Sequence, residues 1–160
     1  MCVPYMADKI HLEYRLTGAG WAECRLTIGQ VKAVATASHF SDALGDFARA
    51  VVDIIDGKRS ARFQFAEEPG EYEWKFQRQR DNLRCELKWF PDGGTPLASN
   101  RSEKRLDVTL PLEDFIRAVD TMLSAVLATY GLDGYWEKWV EHGFPLSSHE
   151  RIRAYVASID

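Results

Sequence analysis

Two stretches of the chain alternate between apolar and polar residues, which is the period of a half-buried β-strand. The first, Ile10–Ile28, turns at Gly18-Ala19-Gly20. Folding it at Ala19 gathers the apolar residues on one face and two opposite-charge pairs on the other. The predicted opposite pairs are Leu16–Ala22, Tyr14–Cys24, Leu12–Leu26, Ile10–Ile28, Arg15–Glu23 and Glu13–Arg25. One register meets both conditions, so the sequence predicts a β-hairpin here.

The second alternating stretch, Glu71–Phe90, carries the densest aromatic content in the chain. A turn at Asp81-Asn82 makes it another hairpin. The opposite pairs then predicted are Trp74–Trp89, Phe76–Leu87, Arg78–Cys85, Gln77–Glu86 and Lys75–Lys88. The last pair is a mild charge conflict, because like charges directly opposite are unfavourable. The aromatic face of this hairpin is expected to form the floor of the core.

Shorter patterns predict the remaining strands and helices. Strands are expected near Val31–Thr36, Ser60–Phe65 and Arg105–Leu110, and Pro91–Ser102 is rich in turn residues and predicted to be a loop. Helical spacing of apolar residues predicts the helices at about Ser41–Asp56, Pro111–Tyr130 and Tyr135–Glu141, with a final helix that starts at Ser147.

The helix ends are also marked in the sequence. Ser38 or Ser41 is expected to cap the first helix, and the run Ser147-Ser148-His149-Glu150 reads as a capping box for the last. Gly131 is placed where the long helix is expected to end.

Strands that come in hairpins and helices that come in blocks are typical of an α+β protein. We expect a curved antiparallel β-sheet of about six or seven strands, with two main amphipathic helices on one face and short C-terminal helices. The chain is expected to be a single domain, 1–160, with a flexible N-terminus at 1–8. Its 160 residues suffice for a sizeable core.

Composition narrows the class of protein. The 46% hydrophobic and 28% charged fractions are those of a folded globular chain, and a net charge of −4 argues against a general nucleic-acid binder. No secretory signal and no run of about 20 apolar residues is seen, so a cytoplasmic location without membrane contact is expected. The three cysteines, Cys2, Cys24 and Cys85, have no metal-ligand spacing and are expected to be reduced thiols.

Residues that could do chemistry are scattered. The four histidines are His11, His39, His142 and His149. No nucleotide-binding or nucleophile-elbow motif is present in the sequence. Asp42 and Asp46 lie one helical turn apart and could act as paired carboxylates, but a solvated helical face is the more usual role of such a pair. We therefore expect no catalytic residues, no metal and no cofactor.

Three groups of residues are candidates for binding a partner. The acidic group is Glu67, Glu68, Glu71 and Glu73; the basic group at the tip of the second hairpin is Arg78, Arg80 and Arg84; the aromatic group is Trp136 and Trp139. Acidic runs usually solubilise a loop, and arginines at a hairpin tip usually cover apolar edges with their stems. The tryptophans are expected in the core, but an exposed one would be an interaction hot spot.

Three segments carry a resemblance to a family of small bacterial proteins. They are Ser41–Phe47 (SDALGDF), Glu67–Trp74 (EEPGEYEW) and Leu87–Phe90 (LKWF), within a similarity that spans Ile10 to Tyr155. Proteins of this kind resemble the immunity or accessory proteins that accompany bacterial toxins. The resemblance implies a fold and a protein partner, with a toxin as one candidate, but no catalytic residue.

These observations leave more than one function open. The first is a non-enzymatic protein that neutralises a toxin or otherwise binds another protein, with homodimer formation left open. The alternative is a small-molecule-binding module with a pocket between sheet and helices, lined by Tyr14, Trp74, Trp89 and Phe115. An enzyme is less favoured, since it would need Asp42, Asp46 and His39 to meet another histidine.

Overall fold

The computed structural model describes residues 9–92 and 101–160 of the chain. The predicted flexible N-terminus and most of the predicted Pro91–Ser102 loop lie outside these ranges. The strands are β1 (Ile10–Gly18), β2 (Trp21–Ile28), β3 (Val31–Ser38), β4 (Ser60–Ala66), β5 (Glu71–Gln79), β6 (Asn82–Phe90) and β7 (Glu103–Pro111). The helices are α1 (Ala43–Ile55), α2 (Leu112–Trp139) and α3 (Leu146–Ile159).

The strands form two antiparallel sheets. One has three strands in the order β1-β2-β3, and the other has four in the order β4-β5-β6-β7. The predicted α+β class is confirmed, but the prediction of one sheet of six or seven strands is wrong. β3 and β4 contact each other without sharing a ladder. They are joined through α1 rather than by a hairpin turn, so each set of hairpin-connected strands completes its own sheet.

The first hairpin has the predicted register. Every predicted opposite pair is observed, from Ile10–Ile28 to Leu16–Ala22, and the ladder has a single irregularity between Leu16 and Gly18. Glu23 accepts from Arg25 at 2.5 Å and from Arg15 at 3.5 Å. Apolar burial and charge pairing select the same register, so the sequence alone was sufficient.

The second hairpin is formed, but its predicted register is wrong by two residues. The turn is Arg80-Asp81, and Trp74 lies opposite Leu87 rather than Trp89. A shift of two residues keeps every side chain on its face, so the apolar pattern cannot detect it. The charged residues do distinguish the two registers, because the observed register places Lys75 opposite Glu86 and Lys88 opposite Glu73. Arg80, the first residue of this turn, adopts a positive φ of 59°.

The core is centred on Phe47 of α1. Its ring lies within 6.4 Å, centroid to centroid, of four other aromatic rings, which come from β4, β5 and α2. They are Phe63, Trp74, Phe76 and Phe115. Most of these pairs are edge-to-face, the arrangement that aromatic quadrupoles favour. The predicted core floor of β5 is thus covered by α1 and α2.

The serine caps predicted for the first and last helices are not formed. α1 begins after Asp42, and the Ser41 hydroxyl instead accepts a hydrogen bond from the Ala66 N–H at 3.1 Å. α3 begins after Pro145, which places the expected capping serine, Ser147, inside the helix. At α1 a tertiary hydrogen bond engages the serine that the local pattern assigned to the cap.

The long helical segment α2 is interrupted at Gly131, the residue where the sequence predicted its end. Gly131 has φ 69° and ψ 175°, which are not helical values, and the predicted short helix around Tyr135 follows directly. By length and composition alone, α2 could cross a membrane, with a mean hydropathy of 1.2 over its most apolar window. The sequence reading had found no such segment, but core helices of soluble proteins also meet this criterion. Many of its apolar residues, including Phe115 and Leu123, are buried in the core.

Candidate functional site

The acidic candidates do not form one surface. Glu67 and Glu68 lie in the turn between β4 and β5, where the Glu67 N–H donates to the Gly70 carbonyl. Glu73 lies within the sheet, 3.9 Å from Arg62 and opposite Lys88. Desolvation raises the pKa of Glu67, and desolvation together with Glu73 raises that of Glu71. Part of this charge is therefore already compensated or partly shielded from solvent.

The arginine candidates are also separated from one another. Arg78 is exposed, and its Nε donates to the Arg80 carbonyl, which braces the turn. Arg84 points to the other face of the sheet and donates two hydrogen bonds to Asp107, at 2.8 and 2.9 Å. This pair lowers the pKa of Asp107 to about 2. Arg84 is thus committed to an internal ion pair and does not join the tip.

The aromatic candidates have opposite roles. Trp139 is fully buried, as is its neighbour Tyr135, so the prediction that Trp139 binds a partner is not supported by its position. Trp136 is 54% exposed, with its ring over Gly143. Since a helix turns about 100° per residue, Tyr135 and Trp139 face the core while Trp136 lies at its border.

Trp136 belongs to a row of exposed apolar side chains. Leu132 precedes it by four residues and Val140 follows by four, and these are 48% and 50% exposed. The Val140 N–H donates to the Trp136 carbonyl at 3.0 Å, which keeps Val140 one turn beyond Trp136 at the end of α2. We call this row, Leu132, Trp136 and Val140, the α2-end row.

Val140 is held in an unusual backbone conformation. Its φ is 85°, in the left-handed region that a β-branched residue rarely occupies. Glycine is the residue usually found where a helix ends in this way. The conformation costs on the order of 1–3 kcal/mol, and backbone strain of this kind concentrates at functional sites. The α2-end row therefore ends on a valine that is both exposed and in a strained backbone conformation.

Two further exposed aromatic residues lie on segments that meet the end of α2. The Gly20 N–H donates to the Lys138 carbonyl at 2.8 Å, which brings the turn before Trp21 against α2. His39 lies 4.0 Å from Glu141, and its ring centroid is 4.7 Å from that of Phe40, with the planes tilted by 38°; Phe40 is 64% exposed. Trp21 and Phe40 are thus exposed aromatic residues on two segments that contact the end of α2.

A row of carboxylates runs beside the α2-end row. Asp133, Glu137 and Glu141 each follow one of its residues by a single position, and all three are exposed. Within the described part of the chain, no lysine or arginine lies within 4.0 Å of these carboxylates. We call Asp133, Glu137 and Glu141 the acidic row. Asp133 and Glu137 lie about 100° around the helix from Leu132 and Trp136, on the side away from the buried Tyr135 and Trp139. Glu141 lies beyond the helix end, 4.0 Å from His39.

Beneath this surface, buried polar groups join three elements. Tyr14 of β1 and Tyr135 of α2 interact, and the pKa of each hydroxyl is raised, first by desolvation. Asp42, at the start of α1, adds to both shifts, and one of its carboxylate oxygens is buried without a hydrogen-bond partner. Gly45 allows this side chain to fold back, because a Cβ there would lie 2.1 Å from Asp42 Oδ2. The hydroxyls of Tyr14 and Tyr135 are likewise buried without a hydrogen-bond partner among the described residues, so these groups mark where α2, the sheet and α1 pack together.

One group of residues has the composition of a catalytic triad but not its geometry. Nε2 of His149, on α3, lies 3.2 Å from the Ser124 hydroxyl and 3.3 Å from Asp120, both on α2. Both partners therefore meet the same ring nitrogen, whereas a triad uses the two nitrogens for different partners. His149 is buried, and desolvation lowers its pKa although Asp120 opposes the shift. The group serves to join α2 to α3.

The other residues considered for chemistry are engaged in structure. Asp42 and Asp46 both accept hydrogen bonds from Arg49, at 2.9 and 2.5 Å. Among the described residues no cluster of three or more His, Cys, Asp or Glu side chains could hold a metal ion. Burial raises the pKa of the Cys24 thiol to about 12, and it also raises that of Cys85. A buried thiol of this kind is a poor nucleophile.

The residues expected to line a small-molecule pocket are packed in the core. Tyr14, Trp74 and Phe115 are each at most 4% exposed, while the ring centroids of Trp89 and Tyr72 lie 4.7 Å apart with the planes tilted by 42°. A groove of the described surface lies elsewhere, between β1 and the first half of α2. It has a volume of about 600 Å³ and is lined by residues such as His11, Arg117 and Thr121.

Sequence reasoning found Trp136 but missed its neighbours. Leu132 and Val140 are spaced four residues on either side of it, and this spacing was readable in the sequence. The exposure of Phe40 could not be predicted from the sequence, because an aromatic residue between a strand and a helix is equally consistent with burial.

Comparison of the chain with protein-family models, with curated proteins and with solved structures gives no match.

Proposed function

We propose that this protein acts by binding another protein through the α2-end row, with Trp136 as the anchor. The observation that carries the proposal is the half-exposed Trp136 between two equally exposed apolar residues. Tryptophan is among the residues that contribute most to binding free energy at interfaces. A contiguous apolar surface on a soluble protein is a usual sign of an interaction site.

The protein is proposed to be non-enzymatic. The exposed groups beside Trp136 are carboxylates and apolar side chains, and no nucleophile with a neighbouring base lies among the described residues of this surface. Such a surface can cover a partner's site, but it has no group placed to activate water or a substrate. Its action would be occlusion by tight binding.

The class of partner that we favour is a toxin, which this protein would neutralise in the cytoplasm. The support is the resemblance of the SDALGDF, EEPGEYEW and LKWF segments to immunity-type proteins, together with a net charge of −4. An acidic inhibitor associates rapidly with a basic target because opposite potentials steer the encounter.

The proposal is tested by affinity capture from the native host with the wild-type protein and two variants. Trp136→Ala removes the anchor, and Val34→Ala removes another exposed apolar side chain, 36% exposed, on β3. We expect a partner that is captured by the wild type and by Val34→Ala and lost with Trp136→Ala. Co-expression of that partner should then be lethal unless this protein is present. Capture that does not depend on Trp136 would refute the proposed surface.

A further inference from the structure

We infer that the α2-end surface receives a basic amphipathic helix of the partner, with apolar residues on one side and lysine or arginine beside them. This inference rests on the proposed function and adds the chemistry of the partner. It follows from two features of the described surface: the shape of the apolar row and the position of the acidic row.

The shape favours a helix as the ligand. The apolar side chains project from successive turns, about 6 Å apart along the helix axis, because a helix rises about 1.5 Å per residue. The row is bordered on one side by the buried Tyr135 and Trp139 and extended toward Trp21 and Phe40 by the adjoining segments. A partner helix that presents apolar residues at positions i, i+3, i+4 and i+7 matches this spacing.

The negative charge of the acidic row favours a positively charged partner. Asp133 and Glu137 of the acidic row lie beside Leu132 and Trp136, on the side away from the buried Tyr135 and Trp139, and have no cationic partner within 4.0 Å in the described ranges. Glu141 faces only His39, at 4.0 Å. The exposed cation of this segment, Lys138, lies on the opposite side of the helix from the apolar row, as its position two residues after Trp136 requires. The surface therefore complements lysine or arginine residues that flank an apolar stripe.

The same charges disfavour other occupants. Two copies of this chain that met through the row would bring carboxylates of one sign together, which costs free energy. An anionic lipid surface would be repelled in the same way, because it attracts clusters of basic residues. A basic protein segment is the occupant that satisfies both rows at once.

The test uses synthetic helical peptides as probes and fluorescence anisotropy as the measurement. One peptide has an apolar stripe flanked by lysine, the second replaces each lysine with glutamate, and the third scrambles the sequence of the first. We expect the basic amphipathic peptide to bind at least about tenfold more tightly than either of the others, and Trp136→Ala to weaken it by about tenfold. Equal binding of the scrambled peptide would overturn the inference.

A charge-matched pair of variants separates a local effect from net charge. Asp133→Lys/Glu137→Lys reverses two charges of the acidic row, while Asp81→Lys/Glu150→Lys makes the same change in net charge at exposed sites elsewhere. Both substituted positions are exposed, so the first variant should remain folded, as circular dichroism would show. We expect the first pair to weaken the basic peptide by about tenfold and the second by less than about twofold, since distant exposed charges are screened. Equal weakening by both pairs would contradict the inference.

The two levels of the proposal fail in different ways. A native partner that requires Trp136 but is insensitive to Asp133→Lys/Glu137→Lys would overturn the inference and leave the proposed function intact. A partner captured equally well by Trp136→Ala would refute both. Loss of a dimer in the Trp136→Ala variant, seen by light scattering, would instead identify a second copy of this chain as the occupant.

Discussion

At the scale of single residues, aromatic side chains that are close in sequence differ in solvent exposure. Tyr135 and Trp139 are buried, whereas Trp136 between them is half exposed. The sequence placed the tryptophans on a helix correctly but could not tell which one faces solvent, because that depends on how the helix is rotated against the core. The rotation is set by Tyr14, Asp42 and the other groups beneath it, which come from distant parts of the chain.

Substitution of Val140 tests whether its backbone conformation lowers the free energy of unfolding. Its positive φ is unfavourable for a β-branched residue and costs nothing for glycine. We expect Val140→Gly to increase the free energy of unfolding by about 1 kcal/mol, measured by urea denaturation, and to weaken partner binding. A variant that loses stability would show that the valine side chain contributes more through packing than its backbone costs.

His149 should make stability depend on pH. Its pKa is lowered from 6.5 by burial, so between the two values the unfolded chain binds more protons than the folded one. The free energy of unfolding is therefore largest above pH 6.5 and falls as the pH drops from 6.5 toward the lowered pKa. Asp120 and Glu150 oppose this shift and Arg153 adds to it.

The measurement is urea unfolding as a function of pH for the wild type and His149→Gln. We expect the wild-type slope to exceed that of the variant below pH 6.5, by at most about 1.4 kcal/mol per pH unit. Identical slopes would show that His149 does not titrate differently in the two states. Asp107, with its pKa of about 2, should not interfere, because its contribution is lost only in stronger acid.

At the scale of elements, periodicity predicted which strands form but not every register. In the first hairpin, apolar and charged pairs agreed on one alignment. In the second, a shift of two residues preserved the apolar face, so only the charges distinguished the alternatives. The conflict between Lys75 and Lys88 was the available signal, and the observed pairing of Lys75 with Glu86 removes it.

Engineered disulfides can verify the second register. Glu73→Cys/Lys88→Cys joins residues that lie opposite each other, whereas Lys75→Cys/Lys88→Cys joins residues opposed only in the rejected alignment. Directly opposite positions meet the distance that a disulfide needs. We expect the first pair alone to oxidise readily in a Cys2→Ser background, as thiol titration or mass spectrometry would report. Faster oxidation of the second pair would contradict the observed register and support the originally predicted one.

The interruption in α2 has a matched test. Gly131, at φ 69° and ψ 175°, occupies a conformation close to glycine-only, so Gly131→Ala should lower the free energy of unfolding by about 1–3 kcal/mol. A Cβ at Gly134, which lies within the helix, would make only an ordinary contact with Tyr130, at 3.8 Å. We expect Gly134→Ala to be neutral or stabilising by up to about 1 kcal/mol. Equal losses in both variants would argue against the interruption.

At the scale of the molecule, the fold class could be predicted from the sequence, but the arrangement of its elements into two sheets could not. Hairpins and amphipathic helices could be read from the sequence and establish an α+β protein. The division into two sheets depends on α1, whose Phe47 packs between elements that are far apart in the chain. The α2-end surface arises in the same way, since β1–β2, β3–α1 and α2 meet only in the folded structure.

Binding through that surface is tested most directly by photo-crosslinking in the native host. A photoreactive amino acid is placed at Leu132 in the α2-end row and, as a control, at Val34 on β3, another exposed apolar position. We predict that the Leu132 site forms an adduct of one defined mass with a basic protein and that the Val34 site does not. The same adducts from both sites, or none from Leu132, would contradict the assignment of the α2-end surface as the binding site.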